Sequence, residues 1–338
     1  APAALATLIL ANAGLAAQSW QTVSSGSTAS LRGLAVVSDQ VVWASGSRGT
    51  VLRSVDGGTT WAVDAVPGAR SLEIRAISAA NERVAHVAAT AGRIWRTVDG
   101  GQTWSLQYQA ADTSVFLDAI GFWDERHGIA MGDPLDGRFF LLATNDGGDT
   151  WHEVQAASRP AVSPGETAFA ASGTSLVLLQ GGGALIGSGG SVARVHRSKE
   201  RGAQWSVSDV PVRSGERSNG VFSLAVAGSA VIAVGGDYRR PDSTRAVAAR
   251  SSDGGATWTP ARTMPSGYRS GAALTSRGLA LAVGTNGTDL SLDGGVTWTA
   301  VDRANYNAVQ IAPGGMAFAV GPSGAIARLD TRLLSTKR

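Results

Sequence analysis

Ser54–Trp61 reads SVDGGTTW, and the phrase returns as TVDGGQTW at Thr97–Trp104, TNDGGDTW at Thr144–Trp151, SSDGGATW at Ser251–Trp258 and SLDGGVTW at Ser291–Trp298. A worn copy, SKERGAQW, occupies Ser198–Trp205. With Trp20 added, the tryptophans closing these octets stand at 20, 61, 104, 151, 205, 258 and 298, with gaps of 41, 43, 47, 54, 53 and 40 residues. Recurrence at this period marks a propeller or solenoid, in which each repeat is one supersecondary unit.

The first unit shows what is repeated. LRGLAVV (Leu31–Val37) and VVWASG (Val41–Gly46) are short apolar runs, and TVLRSV (Thr50–Val55) alternates apolar and polar residues as a half-buried strand does. DGGTT turns the chain into WAVDAV (Trp61–Val66). Four short antiparallel strands joined by glycine-rich turns make one blade. No stretch after residue 20 sustains a helical period, so little helix is expected.

The chain ends set the blade count. Trp20–Val23 reads as a fourth strand with no first three, while YNAVQIA, MAFAVG and AIARLD supply three strands with no fourth. Joining them completes a seventh blade and leaves no open sheet edge. The expected fold is therefore all-β: a seven-bladed β-propeller of four-stranded blades over residues 18–338, its seventh blade closed by both termini.

Within the octet, the two glycines supply the positive φ of a tight turn. The aspartate accepts local backbone N–H bonds, the Ser or Thr hydroxyl adds a second local bond, and the tryptophan fills the gap between turn and sheet. Six copies around a ring cannot all be one active site. They read as structural clips.

These octets resemble the Asp-box of sialidases, of large xyloglucan-cleaving glycosidases and of the photosystem II stability/assembly factor propellers. The resemblance runs from Trp20 to about Asp330, and the stretch Gly121–Trp151 is similar to the assembly-factor phrasing of a blade. The Phe-Arg-Ile-Pro stretch of the six-bladed sialidases is absent, and the chain has room for one propeller where the xyloglucan enzymes carry two. The resemblance implies a non-catalytic propeller that binds a partner protein.

Composition narrows the partners. There are 44 glycines, no cysteine and a net charge of +3, with basic residues almost wholly arginine and scattered. Disulfides and thiolate metal sites are excluded. Scattered charge lacks the stripe or tail of a nucleic-acid binder. Ala1–Ala17, APAALATLILANAGLAA, is uncharged and rich in small apolar residues. It resembles the hydrophobic and cleavage regions of a secretory signal, so residues 1–17 are expected to be a signal-peptide remnant of an exported protein. At this length it is too short for a comfortable membrane span. A monomer without cofactor or metal is expected.

In an up-and-down blade the octets share one face with the first-to-second turns, so recognition belongs on the opposite face, on loops carried by a rigid scaffold. The wide gaps place extra chain there, in Ala157–Gly173, Val212–Gly220 and Asp237–Ala246, with Gly132–Arg138 as the equivalent loop of blade three. Aligning the first strands puts Arg32, Arg75, Asp118, Phe222 and Asn307 at one level of the central channel, with Arg269 near the same ring. Guanidinium groups bind carboxylates in bidentate fashion, so several arginines near one another form a candidate anion clamp. The candidate binding residues are Arg32, Arg75, Asp118, Asp133, Arg138, Glu166, Asp237, Tyr238, Arg269 and Asn307. The partner expected is a protein, with carbohydrate second.

The competing expectation is a glycoside hydrolase. Asp118, Asp133, Asp136, Glu166, Glu216 and Asp237 offer pairs of carboxylates, which glycosidases require, and Tyr238, Tyr268 and Tyr306 offer a sialidase-type nucleophile. None lies in a glycosidase signature. His86, His127, His152 and His196 lack metal-ligand spacing, and GGGALIGSGGS (Gly181–Ser191) lacks the GxGxxG spacing of dinucleotide sites.

Overall fold

The structure is a computed structural model that describes residues 20–334. Residues 1–17, expected to be a signal remnant, lie outside the described residues.

Seven four-stranded antiparallel blades follow one another along the chain. Blade one is Leu31–Val36, Val42–Gly46, Thr50–Ser54 and Ala62–Ala65. Blades two, three and six repeat this order from Ile74, Leu117 and Gly271. The first strands touch in sequence around the ring, and the first strand of blade seven, Ala308–Ile311, touches that of blade one. The ring is closed. Its last blade is completed by Gln21–Val23, which pairs with Ile326–Asp330 in the register Gln21↔Arg328 to Val23↔Ile326.

The core is a set of seven apolar layers, one between each pair of neighbouring blades. Trp43, Ile77, Val87 and Trp95 fill the layer between blades one and two. Leu31, Leu52, Phe318 and Ile326 fill the layer between blades seven and one. Burying these faces is the main favourable term, at about 25 cal/mol per Å² of apolar surface.

The octets are the clips the sequence implies. Ser54 Oγ donates to Asp56 Oδ1 at 2.9 Å and accepts the Gly58 N–H at 2.9 Å, while Asp56 accepts the Thr60 N–H at 2.9 Å and the Thr60 hydroxyl at 2.6 Å. The same four bonds recur around Asp99, Asp146, Asp253 and Asp293. Hydrogen bonds from the threonine, chiefly its hydroxyl, hold the Asp56 and Asp99 carboxyls down to about 2. The worn copy keeps its serine and tryptophan contacts, Gly202 N–H to Ser198 Oγ at 3.0 Å and Trp205 Nε1 to Gly202 O at 3.0 Å. Arg201 takes the place of the first glycine there, at φ 51.

Two stretches read as loops are sheet instead. Gly128–Leu135 and Arg138–Thr144 form an extended hairpin around Asp136-Gly137, both at positive φ, so Gly132–Arg138 is not an open loop. Most of Val212–Gly220 is likewise drawn into the twelve-residue strand Glu216–Ala227. That strand pairs with the Gly183–Gly190 strand of blade four, joining two blades into one nine-stranded sheet. The glycines there permit it, because a Cβ on Gly189 would lie 2.6 Å from the Gly220 Cα.

Candidate functional site

A cavity of about 390 Å³ opens in the channel on the face opposite the octets. Arg32, Arg75, Asp118, Asp133, Tyr238 and Asn307 line it, six of the ten residues picked from the sequence. β-Bulges aim four of the ring side chains. The ladder slips between Leu31 and Gly33, Ile74 and Ala76, Leu117 and Ala119, and Val221 and Ser223. The extra residue each time is Arg32, Arg75, Asp118 or Phe222. A bulge leaves one residue unpaired and redirects its side chain, here into the channel.

The floor is a segment that sequence reasoning took for a surface loop. Ala168–Ala171 line the cavity from inside the channel, and Ser172–Thr174 line a second chamber of about 410 Å³ beyond it. The chain thus crosses the channel and divides it. Arg32 Nη1 donates to Ala171 O at 3.3 Å and Arg75 Nη1 to Ala170 O at 3.5 Å. Phe169 stacks on Phe222 at 3.7 Å, and Thr174 Oγ1 meets Ser223 Oγ at 2.6 Å. Phe222 also meets Tyr268 edge-on at 4.8 Å, and Tyr238 closes the aromatic cluster 6.1 Å from Phe222. Aromatic pairs at these separations add stability beyond the area they bury.

The cavity wall is largely sorted by chemistry, with Phe116 under the Arg75 guanidinium as an aromatic on the charged side. Blades one and two supply Arg32 and Arg75, and blade three supplies Asp118 and Asp133. Blades four to six supply Phe169, Phe222, Tyr238 and Tyr268. Burial, then the neighbouring Arg75 guanidinium, lowers the Arg32 pKa. Burial and then the nearby Asp133 push the Asp118 carboxyl well above the usual range, against the pull of Arg75. Burial also raises Asp133, whose Oδ1 accepts the Thr167 hydroxyl at 2.6 Å. Arg75 is not without an acid, since Glu73 lies 3.5 Å away.

Four candidates stand elsewhere. Arg269 is fully buried and does not face the cavity: its Nε donates to Asp289 at 2.6 Å and its Nη1 to Asn286 at 2.7 Å. The ring position of blade six belongs to Ser270, which lines the cavity. The packing shows why, because a Cβ on Gly284 would meet the Tyr268 carbonyl as one on Gly132 would meet that of Phe116. Tyr268 therefore matches Phe116, and Ser270 matches Asp118. Glu166 is buried in a closed network, accepting from Ser188 at 2.6 Å, the Ser163 N–H at 2.8 Å and, in ion-pair geometry, meeting His196 at 2.8 Å. Burial raises its carboxyl, but those bonds outweigh it and hold the group below its ordinary value. Asp237 is buried and accepts from Arg240 Nε at 2.7 Å. Arg138 donates to Arg159 O at 2.7 Å and borders a separate surface hollow with His196. Sequence reasoning missed Phe116, Phe169, Ser270 and Thr285 in the wall.

Among the described residues, no group of three or more His, Asp or Glu is placed to hold a metal ion, and no helix is long and apolar enough to cross a membrane.

A ring of seven blades, with a polar and aromatic cavity at one mouth, defines a β-propeller. No protein-family model matches the chain, and no curated protein sequence does. Solved structures do share its shape. A structure titled "YCF48 bound to D1 peptide" superposes with a TM-score of 0.66 at 16% identity over 92% of this chain and 94% of that one. YCF48 from Cyanidioschyzon merolae gives 0.65 at 15% identity over 93% and 99%. The Pan2 WD40 domain of Neurospora crassa gives 0.61 at 7% identity over 89% of each chain.

Proposed function

We propose that this protein is an exported binding and assembly scaffold, of the photosystem II assembly-factor type, that engages a partner protein through the cavity-bearing face. The observation that carries the reading is the channel mouth itself. Four bulges turn Arg32, Arg75, Asp118 and Phe222 inward, a local cost in strand pairing that a merely structural ring does not need. A similarly shaped propeller is seen with a D1 peptide bound, which supports a protein partner for this shape. The Asp-box resemblance of the octets and the signal-like start support the same class. Tyr238, 45% exposed at the rim, offers the amphipathic surface that protein interfaces favour.

Capture of partners from a host extract tests the reading. Protein with Arg32→Ala and Arg75→Ala is expected to lose partners that the parent retains, while Val98→Ser on the octet face retains them. Equal capture by parent and double variant would remove the cavity from the interface.

A further inference from the structure

Asp118 poses a problem that a purely anion-binding cavity leaves unsolved. Its side chain is 2% exposed and lines the cavity, yet its Oδ2 has no hydrogen-bond partner. Nε of Arg75, in the adjoining blade, is buried and unpartnered as well. Buried polar atoms are nearly always satisfied, and each exception asks for an explanation such as an absent ligand.

The arrangement of the wall says what would satisfy them. Two guanidiniums and two carboxyl groups stand side by side on blades one to three, and the aromatic cluster faces them from blades four to six. A simple anion would answer Arg32 and Arg75 but leave the Asp118 oxygen unpaired and stand against Asp133. A simple cation would do the reverse. A neutral sugar would bring no carboxylate to Arg32, which donates to the Ala171 carbonyl, whereas Arg75 already meets Glu73 at 3.5 Å.

The geometry points to a small zwitterion as the occupant, namely a free α-amino acid with an apolar side chain. Its carboxylate lies against Arg32 and Arg75, its ammonium against Asp118 and Asp133, and its side chain against the cluster around Phe222. The opposite charges of an α-amino acid are separated by one carbon, which suits neighbouring blades that present guanidinium groups on one side and carboxyl oxygens on the other. A volume of about 390 Å³ is in the range of small-ligand pockets. The inference rests on the cavity being the recognition site, and it does not depend on the partner being a protein.

Titration calorimetry on the full chain separates the alternatives. L-phenylalanine and L-leucine are the probes, with N-acetyl-L-phenylalanine lacking the ammonium and L-phenylalaninamide lacking the carboxylate. The free amino acids are expected to bind, and each blocked analogue to bind at least about tenfold more weakly, the scale of losing one hydrogen bond to a charged group. Asp118→Asn, shown to be folded by its melting curve, should weaken L-phenylalanine by a similar factor and N-acetyl-L-phenylalanine by clearly less. Equal binding of N-acetyl-L-phenylalanine and L-phenylalanine would overturn the inference, since the ammonium would go unread. So would the absence of binding by both free amino acids at millimolar concentration. Partner capture by the same preparation is a separate readout: capture without amino-acid binding refutes only the zwitterion, whereas binding without capture refutes only the protein scaffold.

Discussion

Asp118 is the residue whose energetics follow most directly from its place. Its carboxyl pKa is raised by burial and by Asp133, so the fold keeps a proton that the unfolded chain releases above about pH 4. Where the folded state binds more protons than the unfolded one, stability falls as pH rises. The stability tied to this proton is therefore full below the unfolded-state value and declines as pH climbs towards the raised value. Asp118→Asn is neutral at every pH and should be more stable than the parent at neutral pH, because the loss of stability with rising pH falls on the parent alone. Denaturant titrations across the pH range check this, and a parent as stable as the variant at neutral pH would contradict it. Ser54 runs the other way. Its hydroxyl is buried and accepts the Gly58 N–H, so Ser54→Ala orphans that donor and should cost about 1–3 kcal/mol by the same measurement. A loss below about 0.5 kcal/mol would show the clip to be dispensable.

At the scale of elements, the octet is both the feature most legible in the sequence and the one whose chemistry is most testable. Its aspartates are held low by threonine and serine hydroxyls and by backbone amides, with Asp56 and Asp99 at about 2. A depressed carboxylate contributes stability that is present above the unfolded-state pKa, near 4, and lost as pH falls through the folded value. Melting temperature should therefore drop steeply between about pH 4 and pH 2. Replacing Asp56, Asp99 and Asp146 together by Asn should flatten that drop, and an unchanged acid limb would contradict the assignment. Blade four supplies the converse. Glu200 and Gln204 stand where the other octets have Asp and Thr, so Glu200→Asp with Gln204→Thr should add about 0.5–1.5 kcal/mol, the net worth of a local hydrogen bond.

The elements that escaped sequence reasoning share a physical cause. Clips and strands are local, so spacing and alternation reveal them. The segment at residues 168–174 crosses the channel because Phe169 finds Phe222 and Thr174 finds Ser223, partners about fifty residues away that no local pattern announces. Arg269 stands one residue before the ring position because that level is set by backbone pairing, Ser270 N–H to Val283 O, which no local pattern in the sequence displays. The hairpin at Asp136-Gly137 did leave a signal, since Asp-Gly between apolar runs is a strong hairpin cue. The glycines at 187, 189 and 190 lie inside a strand and serve close approach of two blades.

For the whole molecule, the repeat followed from the tryptophan spacing and the seventh blade from the unpaired strands at the two chain ends, because a propeller repeats one packing problem around a closed ring. Closure through Gln21–Val23 gives a further expectation. That strand brings Trp20, whose indole donates to Thr288 at 3.0 Å and packs on Tyr306. Trp20→Ala should destabilise the ring by about 3–5 kcal/mol, the range for removing a buried aromatic, with calorimetric unfolding as the check. A loss under about 1 kcal/mol would mean that the ring is held shut elsewhere. The two faces of the closed ring then divide the work, clips on one and the chemically sorted cavity on the other.

That division is tested most directly by hydrogen exchange on the protein alone and with its captured partner bound. Slowed exchange is expected in the channel-crossing segment at residues 168–174 and in the rim from Asp237 to Ala246, with the six octets unchanged. Protection confined to the octets, with the cavity segments exchanging as freely as before, would place recognition on the wrong face and contradict the account.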